Sequence, residues 1–298
     1  MRRIQSWREG LTVAAFLAPA LALIGLFTVA PGIWAVVQSF TDRALVGRNA
    51  ANVQFIGLDN YAQLAGDPDF SASLVRTVVF VLLSAIVGQT ILGFLTAYLL
   101  ATRPRWRLRF SPLFAAIFLL PLAVPEAVAA LAWASIANGT EQGFLNRMTG
   151  AFGAEPVQWL QEHAMATIIV VNIWRGIPFA MVLFSAALEG ISREVLEMSL
   201  VDGATAWQQF RRIILGILRP QILLFLMLTT ITTFGIFGLV YFLTRGGPGD
   251  ATTLIGIYIY LQGFKFFEIG FGSAAATVML VILLTLGVYY VRLMREQA

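Results

Sequence analysis

The sequence predicts an all-α integral membrane protein of six transmembrane helices, with a cytoplasmic helical loop between the fourth and fifth spans. Three observations carry that expectation. The 298-residue chain is 58% hydrophobic and only 12% charged, with a mean hydropathy of +0.79, whereas a soluble domain carries about 25% charged residues. Its apolar residues gather into six runs, each near the roughly 20 residues that cross a bilayer core as a helix. Its arginines concentrate in alternate connections, the pattern left by the positive-inside bias of membrane proteins.

The runs follow in order. The first, at about 13–40, is preceded by Arg2, Arg3 and Arg8 and contains Ala18-Pro19-Ala20, which imitates a signal-peptide cleavage site. The apolar stretch continues well past that point, so it reads as an uncleaved first span. The second run lies at about 74–101, the third at 112–137 with Pro121 and Pro125 inside it, and the fourth at 164–188 with Pro178. The fifth, at about 215–243, holds a threonine cluster, and the sixth spans about 274–293. The prolines fit helices that bend around a cavity, and ordinary kinks equally. No soluble domain, low-complexity tract or internal repeat interrupts the series, so residues 1–298 read as one transmembrane domain.

Orientation follows from the basic residues. Arg2, Arg3 and Arg8 at the N-terminus, Arg103, Arg105, Arg107 and Arg109 after the second run, Arg193, Arg211, Arg212 and Arg219 after the fourth, and Arg292 and Arg295 at the C-terminus share one side. That side is the cytoplasm, and both termini face it. The outer connections are longer and more acidic, with Asp42, Asp59, Asp67 and Asp69 in the first, and they hold turns such as RGGPGD at 245–250. They read as landing surfaces for a partner or as plain connecting loops.

Composition also excludes chemistry. The net charge of +4 is accounted for by topology, not by a basic face that would meet nucleic acid. There is no cysteine for a thiolate or a Cys-ligated zinc, and a single histidine, His163, cannot build a multi-His metal site. The sole lysine, Lys265, lies in GFKFFEIG, so no GxxxxGK[ST] phosphate loop exists in the chain. A membrane enzyme has no visible nucleophile, base and metal constellation to rest on.

Between the fourth and fifth runs the chain turns polar: EMSLVDGATAWQQFRRIILGILRP, Glu197 to Pro220. Residues 191–201 read as a short helix that Asp202-Gly203 ends, because glycine readily takes the left-handed conformation that closes a helix. A second helix begins near Thr205, with Trp207, Phe210 and Ile214 recurring as an apolar stripe. Such an elbow, with Glu194, Glu197 and Asp202 on its first limb, suits another protein's groove. A loop helix lying on the membrane surface fits the same pattern.

This stretch resembles the cytoplasmic loop signature of ABC importer permeases. Glu197, Asp202, Gly203, Ala204, Trp207, Phe210, Ile213, Leu215 and Pro220 match it. Met198-Ser199 departs from the family's Ala-Ala, Gly216 from its proline, and Ile191-Ser192 from its Ile-Pro. The likeness extends along nearly the whole chain and points to the sugar-importer branch of the maltose and glycerol-phosphate type, through FLAPALALIGLFTVAPGIWAVVQSFTD, FIGLDNYAQL, LLPLAVPEAVAALAW and LTRGGPGDATTLIGIYIY. Arg76-Thr77 stands where the family usually has Asn-Thr. The resemblance implies an inner-membrane permease subunit without enzymatic activity of its own. It implies partners as well: a second, homologous permease, a dimer of ATPase subunits that hold ATP and Mg, and a periplasmic or lipid-anchored substrate-binding protein. The elbow would be the coupling helix seated in the ATPase, with Glu197, Asp202, Gly203, Ala204, Trp207 and Phe210 as its coupling residues.

Charges inside spans are costly, at least about 2.5–3.5 kcal/mol each, so Glu126 and Arg175 draw notice. They read as a structural ion pair, as the relay of a self-sufficient proton-coupled carrier, or as a substrate contact. Asn172, Arg175, Gly176 and Phe179 share one helical face, offering an amide, a guanidinium, a gap and an aromatic plane to a sugar ring. In the resembling permeases the NxWxGxP stretch holds the sugar, which places it on NIWRGIPF here; the arginine is a departure, since the maltose-type subunit is uncharged at that position. In the fifth run Thr229, Thr232, Thr233 and Ile236 share a face that the resemblance makes sugar-contacting. A helix whose threonines bond their own backbone is the other reading. The implied cargo is a di- or oligosaccharide, a polyol or a glycosyl-polyol, with a non-sugar solute as the alternative.

Overall fold

The threonines, glycines and prolines scattered through the apolar runs decide how the helices break and pack. A computed structural model of the chain describes residues 2–100 and 111–296. The basic run at 103–109 lies outside the described residues, as do the side chains of Arg2, Arg3 and Arg8. Among the described residues the fold is all-α apart from one isolated bridge, Thr41 to Phe55.

Among the described residues four helices are long and apolar enough to cross a membrane: Thr12–Gln38, Pro68–Leu100, Ala164–Glu189 and Ile269–Arg295. Two bent pairs raise the number to six if each is one span: Leu113–Ala123 with Glu126–Ile136, turned by 107°, and Ala206–Ile217 with Arg219–Phe234, turned by 64°. The third run is therefore sharply bent, more than an ordinary proline kink. Pro125, extended at φ −56° and ψ 145°, stands directly before Glu126. It lacks an N–H for the ladder and holds the residue before it out of the helical region. The fifth run is also divided: its helix begins beside Pro220, ends at Phe234, and resumes as Gly238–Leu243.

Two compact units divide the chain. One comprises residues up to Asp67 with Ile259–Leu280. In it the FIGLDNYAQL segment clamps the end of the first span: the Asn60 amide donates to the carbonyls of Ser39 (2.8 Å) and Thr41 (2.9 Å), and Tyr61 shares a 2.6 Å hydrogen bond with the Ser39 hydroxyl. Gly270 N–H donates to the Arg43 carbonyl (2.8 Å), which ties the start of the last helix to the same loop.

The other unit comprises Pro68–Tyr258 with residues from Val281 on. Here the second and fourth spans approach closely through small residues, as membrane helices do when no hydrophobic effect drives them together. A Cβ at Gly93 would lie 2.1 Å from the Cβ of Ala180. The RGGPGD turn is folded onto threonines: the hydroxyl of Thr252 donates to the Gly247 carbonyl (2.8 Å) and that of Thr253 to the Gly246 carbonyl (3.1 Å). The fully buried Thr77 hydroxyl accepts the Ile255 N–H at 2.8 Å, so the threonine of the Arg76-Thr77 pair caps the helix that follows this turn.

Candidate functional site

The elbow is built from local signals. Ser192 caps its first limb, Arg193–Val201, by accepting the Val195 N–H. Gly203 closes that limb at φ +77°, a left-handed conformation that glycine adopts without steric cost. Thr205 then starts the second limb with a capping box: its hydroxyl accepts the Gln208 N–H, and the Gln208 side chain accepts the Thr205 N–H. The limbs are tied by Gln209, whose amide donates to the Leu196 carbonyl (2.9 Å) and the Ser199 hydroxyl (2.8 Å). Ser199, one of the departures from the family pattern, thus receives a partner where alanine could offer none.

The two limbs present different faces. Glu197, Met198, Leu200, Val201, Asp202 and Gly203 are exposed, Val201 at 88%. The predicted stripe turns inward along its length: Trp207 is largely exposed and stacks on Phe210, Phe210 meets Phe94 and Tyr98 of the second span edge-on, and Ile214 is buried. Ala204 is half-buried, its N–H donating to the Ser199 carbonyl. Below the elbow, Ile191, Ile214 and Leu218 join Met181, Phe184 and Phe225 in one apolar cluster that roots both limbs in the fourth and fifth spans.

Higher in the bundle the polar face of the fourth span splits. Asn172 is buried; its amide donates to the Ser84 hydroxyl at 2.8 Å, and its carbonyl accepts the Gln89 amide at 2.9 Å. Gln89 also accepts the Thr229 hydroxyl at 2.6 Å, so one glutamine links the second, fourth and fifth spans. Gly176 leaves room for that glutamine: a Cβ there would lie 2.0 Å from Gln89 Cδ. Ser84 and Gln89 sit in a widened π-helical stretch, Val81–Gln89, a deviation frequent at functional sites. Gln89 escaped the sequence reading. Its signal was there, a lone amide inside the apolar run SAIVGQTILG.

Arg175 and Phe179 take the other edge of the face. Arg175 Nη1 lies 3.2 Å from Glu126 Oε1, and the two side chains remain 28% and 37% exposed. Phe179, exposed, packs against Phe225. On the fifth span Thr232 is exposed and bonds back to the Leu228 carbonyl (2.9 Å), Thr233 is buried, and Ile236 lies beyond the helix end, half-buried. The predicted residues therefore fall into an interhelical network, buried Asn172 and Thr229 with half-buried Gly176 packed on Gln89, and a set away from it, Glu126, Arg175, Phe179 and Thr232.

Membrane-length helices with a polar, capped elbow between the fourth and fifth spans define a multi-span membrane protein. The chain belongs to the family of binding-protein-dependent transport system inner membrane components, whose profile matches residues 89–296, and it is an ABC transporter permease. It is 33% identical to the sulfoquinovosyl glycerol transport system permease protein of Agrobacterium fabrum over 97% of this chain and 92% of the relative. It is 32% identical to the trehalose/maltose transport system permease protein of Thermococcus litoralis over 81% of this chain and 80% of the relative. Its fold matches a chain in the crystal structure of a bacterial alginate ABC transporter in complex with alginate pentasaccharide-bound periplasmic protein, with a TM-score of 0.82, 21% identity and coverage of 99% and 98% of the two chains. Membership of this family sets aside the self-sufficient proton-coupled carrier.

Proposed function

We propose that this chain is the translocating permease subunit of an importer for a carbohydrate, polyol or glycosyl-polyol. It works beside a second permease, with an ATPase dimer that holds ATP and Mg and an outer substrate-binding protein. Both termini and the elbow face the cytoplasm in this reading. ATP-driven closure of the ATPases moves the elbow, and the elbow moves the spans. The exposed first limb carries the coupling role: Glu197 and Asp202 offer charge, Met198, Leu200 and Val201 offer apolar anchors, and Gly203 sets the angle between the limbs.

Carbohydrate cargo is favoured by the relatives, whose names include a sulfoquinovosyl glycerol and a trehalose/maltose permease. Glu126, Arg175, Phe179 and Thr232 are the residues that remain accessible for it. The Arg175–Glu126 pair supplies donors and an acceptor for hydroxyls, and Phe179 an apolar plane for a sugar's C–H face. The buried Asn172, Thr229 and Thr233, with the half-buried Gly176, would then shape the path from behind. The test is uptake into vesicles holding the assembled transporter with ATP inside, using labelled neutral saccharides and polyols presented by the binding protein. ATP-dependent uptake of one of them is expected; uptake confined to a non-sugar solute such as an amino acid would overturn the cargo assignment.

A further inference from the structure

A groove of about 610 Å3 runs between the second-span helix and the second limb of the elbow. Ile91, Phe94 and Leu95 form its span side, Trp207, Phe210 and Leu215 its elbow side. Tyr98 and Trp207 stand at its walls 40% and 66% exposed. Aromatic side chains with one apolar and one polar end favour the boundary between hydrocarbon and water. Arg211 follows Trp207 by four residues and precedes Leu215 by four, so it sits between two groove residues on the same limb, with Arg212 beside it. Both arginines are exposed. Among the described residues neither Arg211 nor Arg212 pairs with an acidic side chain, in contrast to Arg175 with Glu126.

We propose that this groove holds an anionic phospholipid, with an acyl chain along Ile91, Phe94 and Leu95 and the headgroup phosphate at Arg211 and Arg212. One wall of the groove belongs to a membrane-length apolar helix and the other to a limb that carries two exposed arginines next to its groove residues, and that combination of apolar length and positive charge matches an anionic lipid. A protein segment would have to bring its own acidic residues to the same place. The bound lipid would brace the second limb against the second span, while the first limb stays free for the ATPase.

The assembled transporter, with its partner permease and ATPase, is placed in phosphatidylcholine nanodiscs containing a trace of either a diazirine-tailed phosphatidylglycerol or the matching phosphatidylcholine, irradiated, and mapped by mass spectrometry. The glycerol probe should label peptides containing Ile91–Tyr98 and Trp207–Leu215 about 25-fold more than the choline probe, since each of the two arginines near an anionic lipid is worth about fivefold. R211Q with R212Q should bring the glycerol probe down to the choline level, with complex assembly unchanged. Equal labelling by both probes in the unaltered protein would reduce the groove to ordinary lipid contact and overturn the proposal. Absence of label there, with cross-links to a partner protein instead, would also overturn it and assign the groove to that partner.

Discussion

Replacing Gly176 by alanine separates a packing role from a sugar-facing one. The added Cβ would fall 2.0 Å from Gln89 Cδ, whereas carbons in contact sit about 3.5–4.0 Å apart. Gln89 must therefore withdraw by roughly 1.5–2 Å. Its bonds of 2.9 Å to the Asn172 carbonyl and 2.6 Å to the Thr229 hydroxyl cannot survive that shift. Two interhelical bonds in a membrane protein are worth about 0.6 kcal/mol each on average, and crowding by an extra methyl costs about 1–3 kcal/mol. Alanine's better helix propensity returns about 1 kcal/mol. The net expectation is a loss of about 1–3 kcal/mol, measured as the unfolding free energy in mixed detergent micelles. In a Gln89→Ala background the obstruction is gone, so Gly176→Ala should cost almost nothing there. Additive costs in the two backgrounds would refute the reasoning. So would unchanged stability with abolished uptake, which would return Gly176 to a substrate-facing gap.

Three further outcomes follow from single contacts. Arg175→Ala breaks a pair whose partial exposure places it between the surface value of about 0–1 kcal/mol and the cost of about 3–5 kcal/mol for breaking a buried pair; yield should hold while uptake is lost, and uptake restored by adding Glu126→Gln would show that Arg175 serves only to neutralise the carboxylate. Gly203→Val places a side chain in open space at φ +77°, so its cost of about 1–2 kcal/mol is purely backbone and should appear as reduced capture of the ATPase subunit with normal membrane insertion; wild-type capture would remove the elbow's docking role. Thr77→Val strips the buried Ile255 N–H of its acceptor, about 1–3 kcal/mol, and Thr77→Ser should restore the thermal midpoint; equal midpoints for Val and Ser would mean that the cap contributes nothing.

The elbow was legible in the sequence because its determinants are local. Gly203 and Thr205 mark its turn and its restart within three residues, and the structure places both limbs there. The apolar runs were legible by length. Pro125 marked a bend in the third run but not its 107° sharpness, and the break after Phe234 had no mark at all, because a run of apolar residues carries no sign of direction. The polar face was harder still. Asn172, Arg175, Gly176 and Phe179 lie within an arc of roughly 100° on a helix of 3.6 residues per turn, yet a face that wide can meet two neighbours. Its Asn172–Gly176 edge meets Gln89 of the second span, and its Arg175 edge meets Glu126. In a soluble helix the apolar side would have indicated which edge points inward. Here lipid and protein interior are equally apolar, and only the partner's side chain decides.

The same packing bears on how a push on the elbow would travel in the proposed coupling. Gln209 binds the second limb to the first, so the limbs cannot move separately without breaking bonds of 2.8 and 2.9 Å. Ile191 roots the elbow where it leaves the fourth span, and Ile214 and Leu218 root it where it enters the fifth. All three are buried against Met181, Phe184 and Phe225, and a close-packed interior transmits displacement instead of absorbing it. A load on the first limb therefore reaches the fourth and fifth spans together. Farther along, Gln89 holds both of those spans to the second through one side chain, a tie of two hydrogen bonds. The apolar cluster is the stiff part of the linkage, and Gln89 is where relative motion of the spans would be decided, because two hydrogen bonds can exchange partners at a cost that a packed core cannot match.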